Sequence, residues 1–562
     1  MKLDIRKIPF SRFGSYFCVS KHAKTDQIYI RDLHGGDEAP SNVFLVELME
    51  NGEVKQCDVS ANETCLTISA KGEKDKFAKV ILPEEDEIHI LANHIDVKLT
   101  SKKVKYDSLM EIKKDMYEYH IYPKEIKLMI SKVKGEMEVD APWNIIGNDY
   151  VEIMLKGNKE TSHLVIESYR TVYKEEEYIE FEQGKKNAEQ LYLKWYNSMP
   201  EIDDQYNNSK DLAAYITWSS VVAPKGILKD YAMYMSKNWM FNIWSWDNCF
   251  NGMMLGEQHP ELAWSQFKIF LNTQDESGVY PDFVNDQFIS FNCCKPPIFA
   301  YAYEKLMKKN DYFNNKERLS KIYESLKKVM GYWETYRTFE GCLPHYKHGN
   351  DSGWDNSSLF HDGMPVEAPD LAAHLIKSYD ILSKFASILG YEEEVVGHKK
   401  KADDMFALLM ERLYDEEGFF GRWGVDGKRV KHRTSLILRL PIIIGNRLGK
   451  EISDKILTDL EENFETEFGF ATEMPTSELY EENGYWLGPI WAPVTYLFID
   501  AINDLGYEKE EKRLSEKFLK LTLKGGMAEN FDPFTGEGLV DPSFTWTSSV
   551  FLMLGNEQNQ RG

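Results

Sequence analysis

The chain has 562 residues, a formal charge of −24 at pH 7, and is 43% hydrophobic and 28% charged, a globular composition too long for a single core. The acid excess argues against nucleic acid and anionic membrane surfaces as partners, because phosphate contacts need clustered Lys and Arg. The seven Cys form no CxxC motif or Cys/His cluster, which fits reduced thiols in a cytoplasm and no zinc.

The first twenty residues contain no long apolar stretch and no small-residue cleavage site, so no secretory leader is expected. No apolar run approaches the length of a membrane span. The first third of the chain carries short β-branched or aromatic runs at 27–31, 43–48, 79–82, 87–91, 95–99, 150–155 and 163–169, separated by Gly, Asn and charged turns. Such spacing predicts a β-sandwich. Near Lys174 the texture becomes charged, and from Asn187 the periodicity is helical. The expected partition is a β-sandwich over 1–175, a linker over 176–204 and a helical domain over 205–562.

Two apolar stripes mark helices there: Leu319, Ile322, Tyr323, Leu326, Val329, Met330 and Trp333, then Leu375, Ile376, Tyr379, Leu382, Phe385, Ala386 and Leu389. Asp370 after Pro369 is expected to cap the second, and Gly390 to close it. Further helices are expected near 209–222, 247–256, 259–271, 297–309, 393–413, 434–447, 451–463, 490–504, 507–523 and 545–555. About a dozen helices in hairpin pairs after a sandwich predict a toroid of six inner and six outer helices.

Five loop segments between these helices are rich in Trp, Asp, Asn, Gly and Pro, the kind of loop that carries function on a rigid scaffold. The segment 242–248 sets Asp247 and Asn248 beside Trp244 and Trp246, either a sugar subsite or a helix cap with core tryptophans. Gln274 opens a turn cluster that runs to Asp282 and is followed by Lys295-Pro296-Pro297. The segment 348–358 contains Trp354-Asp355-Asn356. A carboxyl beside an aromatic ring is a candidate general acid, because burial disfavours its charged form; the alternative is an Asx-turn. Tyr485, Trp486 and Trp491 surround Gly488-Pro489 as an aromatic wall or as core. Glu529 follows Gly525-Gly526 and precedes Trp546, either as a base that activates water or as an exposed loop residue. There is no G-x-S-x-G, no P-loop, no Gly-rich dinucleotide motif and no HExxH among the 13 His, so neither metal nor cofactor is expected.

In order and rough spacing, WSWDN (244–248), Gly278 with Pro281, PP (296–297), DSGWDNSS (351–358), EAPDLAAHL (367–375), YWLGPIW (485–491) and GGMAENFDPFTGEG (525–538) resemble glycoside hydrolase family 63 and its trehalase-like relatives. The likeness covers about 205–562. It implies an (α/α)₆ barrel and hydrolysis of a small α-linked glucoside with inversion, with Asp355 as general acid and Glu529 as general base. The residues expected to line the sugar site are Trp244, Trp246, Asp247, Asn248, Gln274, Trp354, Asn356, Tyr485, Trp486, Trp491 and Trp546. Two departures stand out: Leu487 where relatives commonly carry Arg, and Lys295 before the Pro pair. An inverting glycoside phosphorylase and a non-catalytic sugar-binding protein on the same barrel are the alternatives. The sugar, the linkage and the oligomeric state stay open.

Overall fold

The computed structural model describes residues 1–561. The chain divides into two compact units. One comprises 1–199, 214–242 and 285–288; the other comprises 200–213, 243–284 and 289–562.

The first unit is sheet-rich. A seven-stranded antiparallel sheet runs in the order Phe17–Lys21, Ile28–Asp32, Asn42–Glu50, Asp96–Lys102, Tyr150–Lys156, Glu136–Asp140, with Glu53–Val54 paired to Asn42–Glu50. An eight-stranded sheet runs Ser108–Lys113, Met116–Ile121, Ile126–Lys134, Ser162–Tyr169, Glu87–Asn93, Glu73–Ile81, Leu66–Ala70, Cys57–Ala61. Period-2 patterning decides which faces meet. In Tyr150–Lys156, Val151, Ile153 and Leu155 are buried while their neighbours are not. Tyr119 of the second sheet meets Phe44 of the first (ring centroids 5.7 Å apart) and hydrogen-bonds to Ser101 Oγ at 2.8 Å, so the two buried faces touch. The helix Phe181–Tyr196 follows the last strand.

The second unit is helical. Lys316–Tyr336 buries Leu319, Ile322, Leu326, Val329 and Trp333 along one stripe. It starts at Asn315, whose side chain accepts from the amides of Glu317 and Arg318 at 3.1 Å each, satisfying two donors that the first turn leaves free. Pro369–Leu389 closes on Gly390 at φ 86, the left-handed cap that glycine tolerates. Its start corrects the sequence expectation: the cap position is Ala368, and Asp370 lies inside the first turn. Pro369, which has no amide to satisfy, sets the helix start two residues earlier than a capping Asp370 requires.

Six segments neighbour one another in cyclic order: Asp247–Leu255, Phe299–Lys309, Pro369–Leu389, Leu436–Ile444, Ala492–Asp504 and Thr545–Arg561. The last returns to the first, where Asn251 Nδ2 donates to Thr545 Oγ1 at 3.1 Å and Ser549 Oγ donates to Asn251 Oδ1 at 2.9 Å. Pro260–Thr273, Lys316–Tyr336, Glu392–Leu413, Lys450–Asn463 and Glu508–Gly525 each pack against members of this cycle. The helix expected over 434–447 is instead a 3₁₀ run, Leu436–Ile444, followed by one turn at Gly445–Leu448. Pro441 inside it lacks the amide proton and crowds the carbonyl four residues back, which excludes an α-helix there. Among the described residues no helix is long and apolar enough to cross a membrane.

Candidate active site

Loops at the ends of the helices bring five tryptophans together. Trp486 stacks on Trp491 with centroids 3.9 Å apart and planes 6° apart. Trp354 packs on Trp486 at 4.8 Å, Trp546 on Trp491 at 5.4 Å, and Trp246 lies 6.5 Å from Trp486 and 6.1 Å from Trp546. The indole donors are used to fix the loops. Trp491 Nε1 donates to Tyr485 O at 3.0 Å, and Trp546 Nε1 donates to Glu529 O at 3.1 Å. Gly353, at φ 71, brings the Asp355 loop against Trp246: a β-carbon there would sit 2.7 Å from the indole ring. Gly353→Ala therefore has to displace a buried tryptophan and strain its own backbone. A loss of about tenfold or more in kcat/KM is expected, and steady-state kinetics on any hydrolysed glycoside checks it.

Glu529 is 1% exposed. Its Oε1 accepts the Tyr485 hydroxyl at 2.9 Å, its amide donates to Asp541 O at 2.7 Å, and its Oε2 has no hydrogen-bond partner among the described residues. Burial pushes its carboxyl up to about 8; the Tyr485 hydrogen bond opposes this, and the charges of Asp541 and Asp247 add to it. Asp247, at the head of Asp247–Leu255, is likewise pushed up to about 7 by burial. Lys295 works against that shift, and Asp282 and Asp355 reinforce it. Asp355 itself is partly exposed, and Asn356 beside it is exposed. The site thus grades from an open rim at Asp355, Asn356 and Tyr485 to a buried floor at Trp246, Asp247 and Glu529.

The Asp355 loop is fixed from behind. Asp351 accepts from the amides of Cys294, Lys347 and His348 at 3.0, 2.8 and 3.1 Å, and from Arg337 Nη1 at 2.7 Å. Burial disfavours its charge, yet Arg337 and these donors hold it below the ordinary aspartate value. Lys295 is a buried cation. Its Nζ is 3.2 Å from Asp282 Oδ1, donates to Asn350 O at 2.9 Å and also reaches Asn350 Oδ1. Burial opposes its charge, but the fields of Asp282, Asp355 and Asp247 prevail and raise it above the ordinary lysine value.

The other sequence candidates are placed as follows. Trp244 is partly exposed and pairs with Phe283 at 5.3 Å, outside the tryptophan cluster. Asn248 is buried, with Nδ2 on Gln266 O at 2.8 Å and Oδ1 without a hydrogen-bond partner among the described residues. Gln274 is engaged within its own loop and the neighbouring helix: Nε2 donates to Gly278 O and Ser325 O, and Oε1 accepts from Ser325 Oγ. Asn356 bonds to the backbone on either side of Tyr485. Leu487 is buried, and its amide donates to Gly484 O at 3.1 Å. Asp282, Asp351 and Asp541 join the site without having been singled out beforehand. The signal for Asp351 and Asp282 was their place inside the motifs; for Asp541, twelve residues past Glu529, no motif pointed to it.

Tyr485 packs edge-on to Trp491 at 4.8 Å and meets two carboxyl groups: Glu529 accepts its hydroxyl at 2.9 Å, and the charge of Asp355 acts on it. The family model that describes the mannosylglycerate hydrolase MGH1-like glycoside hydrolase domain matches residues 240–547, more than half of the chain. A mannosylglycerate hydrolase of Thermus thermophilus is 29% identical over 147 residues, 25% of this chain and 35% of that protein. Human trehalase is 25% identical over 251 residues, 40% of this chain and 42% of that protein. These alignments span well under half of the curated relatives' length. Among solved structures, a GH63 mannosylglycerate hydrolase from Thermus thermophilus in complex with glucose aligns with TM-score 0.51 and 20% identity, over 60% of this chain and 98% of that one. At that identity the likeness concerns the fold.

Proposed function

From the premise that this chain belongs to the mannosylglycerate hydrolase MGH1-like glycoside hydrolases of family 63, we propose that it is an inverting α-glycosidase acting on a small α-linked glucoside. The fold proposed for it is a β-sandwich over 1–175, a linker over 176–204 and an (α/α)₆ toroid over 205–562. The cyclic order of six helical segments, with the last bonded to the first, supports the toroid. Seven unpaired thiols support a reducing compartment such as the cytoplasm.

The observation that supports this chemistry is the Tyr485 hydroxyl bonded to Glu529 Oε1 at 2.9 Å, beside Trp491 and under the charge of Asp355. A pyranose ring stacks on indole faces through its C–H bonds. Asp355, at the open rim, protonates the leaving glycosidic oxygen. Glu529 takes a proton from water on the opposite face of the anomeric carbon, using the Oε2 lone pairs that no protein donor occupies. Buried Asp247 accepts a sugar hydroxyl, and Lys295 compensates the charge of the carboxyl groups around the floor.

The test is a panel of α-linked disaccharides and glucosyl- and mannosylglycerates, incubated with and without phosphate. Proton NMR reads the anomer released first. Hydrolysis without phosphate, with the β-anomer appearing first, is the expected outcome. The α-anomer first, or turnover only with phosphate, would overturn the inverting hydrolase in favour of a retaining enzyme or a phosphorylase.

A further inference from the structure

Asn356, the residue after the proposed acid, has both ends of its amide engaged by one other loop. Its Nδ2 donates to Gly484 O at 2.9 Å, and its Oδ1 accepts from Trp486 N at 3.0 Å. These two backbone groups flank Tyr485, which sits at φ 62. That left-handed conformation is unfavourable for a residue with a β-carbon and persists only where its surroundings impose it. The Tyr485 carbonyl is held by Trp491 Nε1, and the phenol then reaches Glu529 Oε1 at 2.9 Å.

We infer that Asn356 is a positioning residue: its amide holds Tyr485 in the backbone conformation from which the phenol bonds Glu529, so the loop of the proposed acid sets a hydrogen bond made to the proposed base. This rests on the roles given above to Asp355 and Glu529. A phenol donor favours the ionised carboxylate, against the burial that pushes Glu529 up. The other charged groups facing Glu529 include Asp541, whose carbonyl its amide bonds, and Asp247 at the head of Asp247–Leu255, while Asp355 acts on the same phenol. Replacing Asn356 removes none of them.

The experiment compares full-length wild type, Asn356→Ala, Tyr485→Phe and the double variant, using α-glucosyl and α-mannosyl fluoride. Fluoride leaves with little need of protonation, so its release reports on the base. In each single variant the acid limb of kcat/KM is expected to move to higher pH by about one unit, whatever the height of the plateau. The double variant is expected to move no further, because both changes remove one hydrogen bond. An unchanged limb in Asn356→Ala, or shifts that add in the double variant, would overturn the coupling. Asn356→Ser serves as the smaller change if Asn356→Ala does not fold by circular dichroism. If the wild type hydrolyses neither fluoride, the proposed glycosidase activity fails; if Glu529→Gln keeps its rate, the assignment of the base fails; the inference falls with either.

Discussion

Glu529→Gln is expected to abolish turnover of every glycoside, α-glucosyl fluoride included, whereas Asp355→Asn is expected to lose ordinary glycosides and keep the fluoride. An amide at position 529 cannot take the proton of the attacking water, and no leaving group relieves that need. An amide at 355 fails only where the leaving oxygen has to be protonated. Each role is commonly worth about 10²–10⁴ in rate. The fluoride comparison belongs near pH 9, because burial pushes Glu529 up to about 8 and a base must first be ionised; ordinary glycosides, which also need a protonated acid, are compared at the wild type's own optimum. The reverse pattern, fluoride turnover lost at 355 and kept at 529, would exchange the two roles. Stability supplies a companion reading with its own sign. A carboxyl whose folded pKa lies above its unfolded value loses stability as pH rises from the unfolded value through the folded one. Glu529→Gln should therefore melt level with wild type near pH 5 and above it near pH 8–9, by up to a few kcal/mol. Melting scans at both pH values check this.

Lys295→Met is expected to be the most destabilising single change in the site. The lysine is buried, paired with Asp282 at 3.2 Å and faced by Asp247 and Asp355. Removing one partner of a buried pair leaves uncompensated charge and typically costs about 3–5 kcal/mol. The folded lysine pKa is raised, so its contribution is complete at neutral pH and is lost only as pH rises through that value. At the acid end Asp247, which burial pushes up to about 7, takes up its proton and needs no cation, so the difference from wild type narrows. Thermal melting at about pH 5 and pH 7.5 should show a smaller gap at the first than at the second. Activity should fall as well, because Nζ also holds Asn350 O in the loop leading to Asp355. An equal gap at both pH values would mean that the charges around Lys295 do not act together.

Much of the fold was legible in the sequence. Alternation within 150–155 and the β-branched run at 163–169 mark strands that the structure places at Tyr150–Lys156 and Ser162–Tyr169, and the stripe from Leu319 to Trp333 falls on the buried face of Lys316–Tyr336. Periodicity reports one buried face, which is why the first and last of these were readable; the second, buried on both faces, was readable as a short apolar run. The 434–447 segment was not: its apolar run looks helical, and one proline, Pro441, decides its geometry. The tryptophans were legible as motif members, and Trp246, Trp354, Trp486, Trp491 and Trp546 do gather. Side-chain commitments were not legible. Nothing in the spacing announces that the Gln274 amide holds Ser325 or that the Asn356 amide spans Tyr485, because those bonds depend on loops distant in sequence. Asp541 escaped notice for the same reason: its field at Glu529 arises only once residues 527–543 fold back on themselves.

The most direct test of the central claim is a crystal structure of Asp355→Asn soaked with α-glucose or α-mannose, read for the distance between the carboxyl carbon of Glu529 and the side-chain amide carbon of residue 355. The proposal predicts roughly 6.5–9.5 Å, with the sugar ring on indole between them and a water at Glu529 Oε2. A separation near 5 Å, or side chains that do not share one anomeric centre, would contradict it.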